Sequence, residues 1–303
     1  MKRVLLLTRT AIIVFVAICV LIVGGYVLLR FSGSTIDPSL ERVIYDGKES
    51  DSPLININGM TQETRILAPE GYTRIEADET SLLYFMRNME VLPHGNPIVY
   101  YDGDELGNNC ALVYAMDIGA HDLQQCADSV IRVYSEYFWS QKDYDSIAFH
   151  LTNGELMKYT DWRKGKRLVA AGSFSTQLKL KGKNKSYECF RAYLECVMNY
   201  AGTKSLYDES ETIPLSDFKP GDILLIPGSP GHVVLAVDMA VNADGEKCYL
   251  FAQGFMPAQS FHMIENDKHL DDPWFYESEL KEKFRVGSYT FTDDNVRRWQ
   301  NGF

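Results

Sequence analysis

The chain has 303 residues, 46% of them hydrophobic, and a formal net charge of −11. That is enough apolar material for one large domain or two small ones. All 41 acidic residues but only 26 of the 30 basic ones lie beyond residue 34, and so acidic a body excludes a binder of nucleic-acid phosphates or a polybasic membrane patch.

At the N-terminus, Lys2, Arg3 and Arg9 precede an uncharged run over residues 11–29, closed by Arg30. Its length is near the roughly 20 residues a helix needs to cross a hydrocarbon core. The charge bias predicts a cytoplasmic tail over 1–10, a single-pass anchor over 11–29 and a stalk over 30–60. One extracytoplasmic α+β domain would follow over 61–303. The implied partners are the lipid bilayer, through the anchor, and cell-wall peptide or an envelope protein outside it.

A Pro-Glu-Gly-Tyr turn leads into a predicted strand ending near Ala77. Residues 81–89 have helical spacing, and residues 111–118 read as a strand. Residues 123–140 carry the clearest helical pattern, with Asp122 as N-cap and Gln125 closing a capping box. Cys126 then falls one turn in, on the apolar face of Val130 and Val133. A basic stretch over 179–185 precedes a second helix, 187–201, capped by Ser186 and stopped by Gly202. Cys189 lies in its first turn. Three short apolar runs follow, 223–226, 233–237 and 248–252, bounded by Pro/Gly and Asn-Ala-Asp-Gly turns, as in an antiparallel meander. His232 stands at the mouth of the second strand and Gln253 past the end of the third. Asp238 is expected to face solvent at the strand end. Residues 277–283 read as an exposed helix face, and Thr292-Asp293 as a cap signal for a last segment to Trp299. Helices followed by a meander predict the α+β class.

Five cysteines lie beyond the anchor: Cys110, Cys126, Cys189, Cys196 and Cys248. The odd number and the lack of any CxxC pair argue against a disulfide framework or a zinc ribbon. His262, His269, Asp271 and Asp272 cluster in sequence but read as a solvated loop, and nothing calls for a cofactor. The chemistry instead points to a thiol nucleophile. A helix N-terminus lowers a thiol pKa and offers N–H groups to an oxyanion. A strand histidine can serve as base, with a polar side chain fixing its tautomer. His232 is the candidate base and Gln253 its orienting group; Cys126 or Cys189 is the nucleophile.

Gly221-Asp222, Gly231-His232 and Gln253, on successive strands after a cysteine-bearing helix, resemble the papain-fold cell-wall peptidases and amidases of the NlpC and CHAP types. That order implies Cys189 as nucleophile, although Phe190 stands where those families place a small residue. A resemblance over more of the chain, carried by VYYDGD, DLQQCADSVIRVYSEYFWSQ, FHLTNG, YAGTKSL, GSPGHVVLAVDMA, FAQGFMPAQ and PWF, is to the bacterial domain of unknown function 4846. It implies Cys126 instead. The resulting expectation is a membrane-anchored cysteine peptidase or amidase acting on an amide bond, with a non-catalytic surface binding or assembly module as the alternative.

Overall fold

The computed structural model describes residues 52–172, 174–269 and 272–300. Its frame is a nine-stranded antiparallel sheet. In chain order the strands are β1 Tyr72–Arg74, β2 Leu112–Val113, β3 Ser210–Thr212, β4 Ile223–Ile226, β5 His232–Asn242, β6 Lys247–Gln253, β7 His262–Met263, β8 Phe275–Tyr276 and β9 Val296–Trp299. The path runs β2-β7-β6-β5-β4-β9-β3, with β1 also paired to β5 and β8 to β6. Among the described residues six α-helices accompany it: α1 Gln62–Arg65, α2 Leu82–Arg87, α3 Cys126–Ser140, α4 Tyr159–Trp162, α5 Tyr187–Met198 and α6 Thr203–Asp208. Mixed α+β architecture around an antiparallel sheet is therefore the observed class.

Side chains alternate between the two faces of the long central strand. Val233, Leu235 and Val237 enter a core shared with α3 and α5, while Val234 and Ala236 enter a second core on the opposite face. A bulge between Ala236 and Asp238 inserts one residue, after which Met239 joins the second core and Ala240 the first. The second core is closed by the hairpin of Lys283–Val286 with Tyr289–Thr292, through Phe284, Val286 and Phe291. On the helix side, Trp299 stacks between Tyr134 and Phe149, with ring centroids 5.0 and 5.1 Å away. Both faces of the sheet are thus dry, which is why β4 to β6 read as continuous apolar runs.

Several expectations are corrected. Helix α3 starts at Cys126 rather than at residue 123, with Gln125 as N-cap. The expected strand over 111–118 is a strand only at Leu112–Val113, followed by a single bridge from Tyr114 to Val91. A hairpin, Lys166–Ala171 with Phe174–Lys179, lies where no strand pair was expected. Residues 277–283 form a single 3-10 turn at Glu277–Glu279 before an edge strand, not a helix, and the last segment becomes β9. Asp238 is fully buried, not solvated: it receives Arg87 and Arg74, each at 2.7 Å. Bringing β1 and α2 against the bulge supplied cations that a single strand could not reveal. All five described cysteines are free thiols. No helix among the described residues is long and apolar enough to cross a membrane; the expected tail, the anchor and residues 30–51 of the stalk lie outside them.

Candidate active site

The β4–β5 hairpin places His232 opposite Ile226, at the open end of the pair. Register carries Gln253 to the same end, paired with His262 of β7. The three polar side chains form a directed chain. His232 Nε2 lies 2.8 Å from Gln253 Oε1, Gln253 Nε2 lies 3.2 Å from His262 Nε2, and His262 Nδ1 lies 2.9 Å from the Ser260 carbonyl. One assignment satisfies every partner. The Ser260 carbonyl accepts from His262 Nδ1–H, His262 Nε2 accepts from the Gln253 amide, and Gln253 Oε1 accepts from His232 Nε2–H. His232 is thereby held as the tautomer whose Nδ1 bears a free lone pair, the form required of a base. The Tyr289 ring stacks on the imidazole with centroids 4.0 Å apart and planes 10° apart, locking its orientation.

Cys126 is the first residue of the 15-residue helix α3. Its sulfur faces the backbone N–H groups of Val233, Ala127 and Cys126 itself. Val233 follows His232 in the chain, and the Cys126 thiol also bears on the Tyr289 ring stacked over His232. Gly254 sets how closely β6 approaches α3: a Cβ there would fall 2.2 Å from Ser129 Oγ and 2.9 Å from the Gln125 carbonyl. A cleft of about 370 Å³ opens beside the thiol, lined by Cys126, Asp128, Asn199, Thr203, Gly231 and Met256 among others. The start of α3 and the cleft lie at the His232 end of the sheet, the cleft reaching Gly231 while His232 itself does not line it.

The electrostatics differ from the sequence expectation. Burial, and next the Asp128 carboxylate, push the Cys126 thiol up to about 11, against the pull of the three N–H groups. Burial likewise drives His232 and His262 down to about 4. Desolvation outweighs the helix dipole here because the dipole is worth about 1 kcal/mol, whereas complete burial moves such groups by several pKa units. At rest the pair is therefore neutral thiol and neutral imidazole. No hydrogen bond joins Cys126 Sγ to His232 among the described residues, so proton transfer belongs to the attack step.

Cys189 lies elsewhere. It is buried in the helix-side core, and its carbonyl accepts from Trp162 Nε1 at 3.0 Å. The cleft meets α5 at Met198 and Asn199, roughly 13 Å along the helix from Cys189 at 1.5 Å per residue. The fold thus gathers Cys126, His232 and Gln253 and leaves Cys189 apart. His262 joins them, moved out of its expected solvated loop; alternation of Phe261 and Met263 around it was the available signal. Tyr289 and the buried Asp128 were also missed, the latter readable only as a capping residue three positions past Gln125.

The model of the family described as domain of unknown function 4846 matches residues 62–298. The chain belongs to that family. The match spans every strand of the central sheet except the last residue of β9, and with them the whole candidate site of this family member. No curated protein and no solved structure matches the chain. Among the described residues, no group of His, Cys, Asp and Glu could hold a metal ion.

Proposed function

We propose that this family member is a membrane-anchored, extracytoplasmic cysteine hydrolase or transferase of papain-like, NlpC/CHAP-like fold, acting on an amide bond in cell-wall peptide. The directed Ser260–His262–Gln253–His232 chain carries the reading, because it uses two side chains and a backbone carbonyl to keep His232 Nδ1 unprotonated, next to the Gly231 rim of a cleft that holds a helix-terminal thiol. In the first step Sγ attacks the carbonyl carbon while His232 Nδ1 takes the thiol proton. The oxyanion is met by N–H groups at the start of α3. The tetrahedral adduct collapses with C–N cleavage, and His232 returns the proton to the leaving amine. Water or a second amine then releases the thioester.

Replacing Cys126, His232 or Cys189 singly by Ala, and measuring muropeptide release together with labelling by a substrate-like thiol probe, tests the reading. Release should vanish in C126A and H232A and persist in C189A. Gln253→Ala should lower kcat about 10- to 100-fold with little change in KM, the cost of losing a group that orients a catalytic side chain. Undiminished release in C126A and H232A would leave the binding or assembly scaffold as the better account of the same fold.

A further inference from the structure

Residues 163–185 hold eight Lys and Arg and no Asp or Glu, in a chain whose net charge is −11. The acidity that excludes a polybasic patch from the chain as a whole does not hold here, because salt confines each charge to about 10 Å. The segment consists of the hairpin of Lys166–Ala171 with Phe174–Lys179 and the run that leads from it to α5.

Register divides this hairpin into two faces. Leu168 pairs with Gln177 and Ala170 with Ser175 on the inner one. There Leu168 packs against the helix-side core, Gln177 donates to the Leu156 carbonyl at 2.9 Å, and Ser175 donates to the Glu155 carboxylate. The outer face carries Val169, Ala171, Phe174 and Leu178, and it is open. Val169 is 40%, Leu178 47% and Phe174 67% exposed, and Leu180, in the same alternation, is 56% exposed. Lys164, Lys179, Lys181, Lys183 and Lys185 are exposed too, and none makes an ion pair or side-chain hydrogen bond among the described residues. Of the acids nearby, Asp161 is paired with Lys166 at 2.8 Å, and Glu155 is engaged by Ser175 and Gln177 on the inner face. The lysine run is fixed in place. Leu180 and Lys181 donate their N–H groups to the Gly165 carbonyl, and Asn184 donates to that of Arg163.

We propose that the outer face of this hairpin lies on an anionic phospholipid bilayer, with Phe174, Val169, Leu178 and Leu180 at the acyl boundary and the five lysines at the phosphates. An amphipathic surface of this kind takes apolar side chains and cations side by side, and the long lysine stems let the ammonium groups reach the headgroups. A soluble polyanion would satisfy the lysines but leave the apolar face in water, which is why the bilayer fits better. The contact uses neither the Cys126 cleft nor residues 11–29, and it stands whether or not the chain is a hydrolase.

The test uses full-length Phe174→Trp in nanodiscs of phosphatidylcholine, with or without phosphatidylglycerol as about a third of the lipid, a content that sets the surface charge. Acyl chains are plain or brominated, and the emission of wild type, which has four tryptophans of its own, is subtracted. Brominated chains should quench the added tryptophan at least twofold in the anionic discs and leave it unchanged in the neutral ones. Replacing Lys179, Lys181, Lys183 and Lys185 together by Gln should abolish the quenching. These side chains are exposed and unpaired, so the urea midpoint should stay that of wild type. Leu178→Ser with Leu180→Ser, which keeps every charge, should also cut the quenching at least twofold. No quenching in anionic discs, equal quenching in both kinds, or quenching that survives the lysine replacement would overturn the proposal. Protection of Lys179–Lys185 from trypsin by polyphosphate, without quenching in anionic discs, would give the lysines to a soluble polyanion and reject the bilayer.

Discussion

His232 and His262 show how residue chemistry is set by surroundings rather than by type. Both imidazoles are buried, and both titrate near 4 instead of the ordinary value near 6.5. A base whose folded pKa is depressed adds stability that is fully present above its unfolded pKa and is lost as pH falls through the folded value. Asp128 runs the other way. Its raised carboxyl, at about 8, contributes most below the unfolded value of 3.8 and loses that contribution as pH climbs through 8. Urea titrations of wild type, His262→Gln and D128N between pH 4 and 8 should separate the two. Between pH 7 and 4, H262Q should lose less stability than wild type. Between pH 5 and 8, D128N should lose less than wild type. Parallel curves for all three chains would refute these assignments. His232 and Gln253 were legible in the sequence because turn residues mark where strands begin and end. His262 and Asp128 were not, since a hydrogen bond between strands, or an unpaired buried oxygen, has no signature in local spacing.

At the scale of elements, the start of α3 decides the chemistry. A three-residue shift from the expected N-terminus makes Cys126 the first helical residue, beside unpaired N–H groups, while it still packs in the helix-side core. The expected capping box used Asp122 and Gln125; the one formed uses Gln125 and Asp128, because Asp122 is drawn instead to the Ala258 N–H at 2.7 Å. Strand β6 ends against this same turn through Gly254. Gly254→Ala would put a methyl within 2.2 Å of a fully buried serine hydroxyl and 2.9 Å of backbone, so α3 and β6 must part. A loss of about 1–3 kcal/mol in urea unfolding is expected, with muropeptide release falling further than stability alone explains. A G254A chain as active and as stable as wild type would show that this contact does not hold the site together.

For the molecule as a whole, the sheet is insulated on both faces, and the most deeply buried ion pairing within it is centred on Asp238. Asp238 sits at the bulge of β5 and binds Arg87 of α2 through Oδ1 and Arg74 of β1 through Oδ2. Arg74 extends to the Ile66 carbonyl and Arg87 to the Ile75 carbonyl, so residues distant in sequence meet at a single side chain. Asp238→Ala would leave two guanidinium groups facing each other with no anion. A cost of about 3–5 kcal/mol is expected, read as a lowered urea midpoint at unchanged m-value. A midpoint within experimental error of wild type would mean that solvent reaches the two arginines.

Composition, periodicity and turn residues by themselves determined the α+β class, the helical spans around residues 126–140 and 187–198, the β4–β5–β6 meander and the pairing of His232 with Gln253. Each of these is written in local order, where a strand or helix imposes its own period on the side chains. Tertiary structure alone decided which thiol lies at the cleft beside Gly231, that Asp238 is buried in an ion pair, that His262 completes the polar chain, and that burial pushes the thiol pKa up. All four depend on which segments approach one another across the sheet and on how much water that approach removes, and desolvation is a property of the packed neighbourhood rather than of any stretch of sequence.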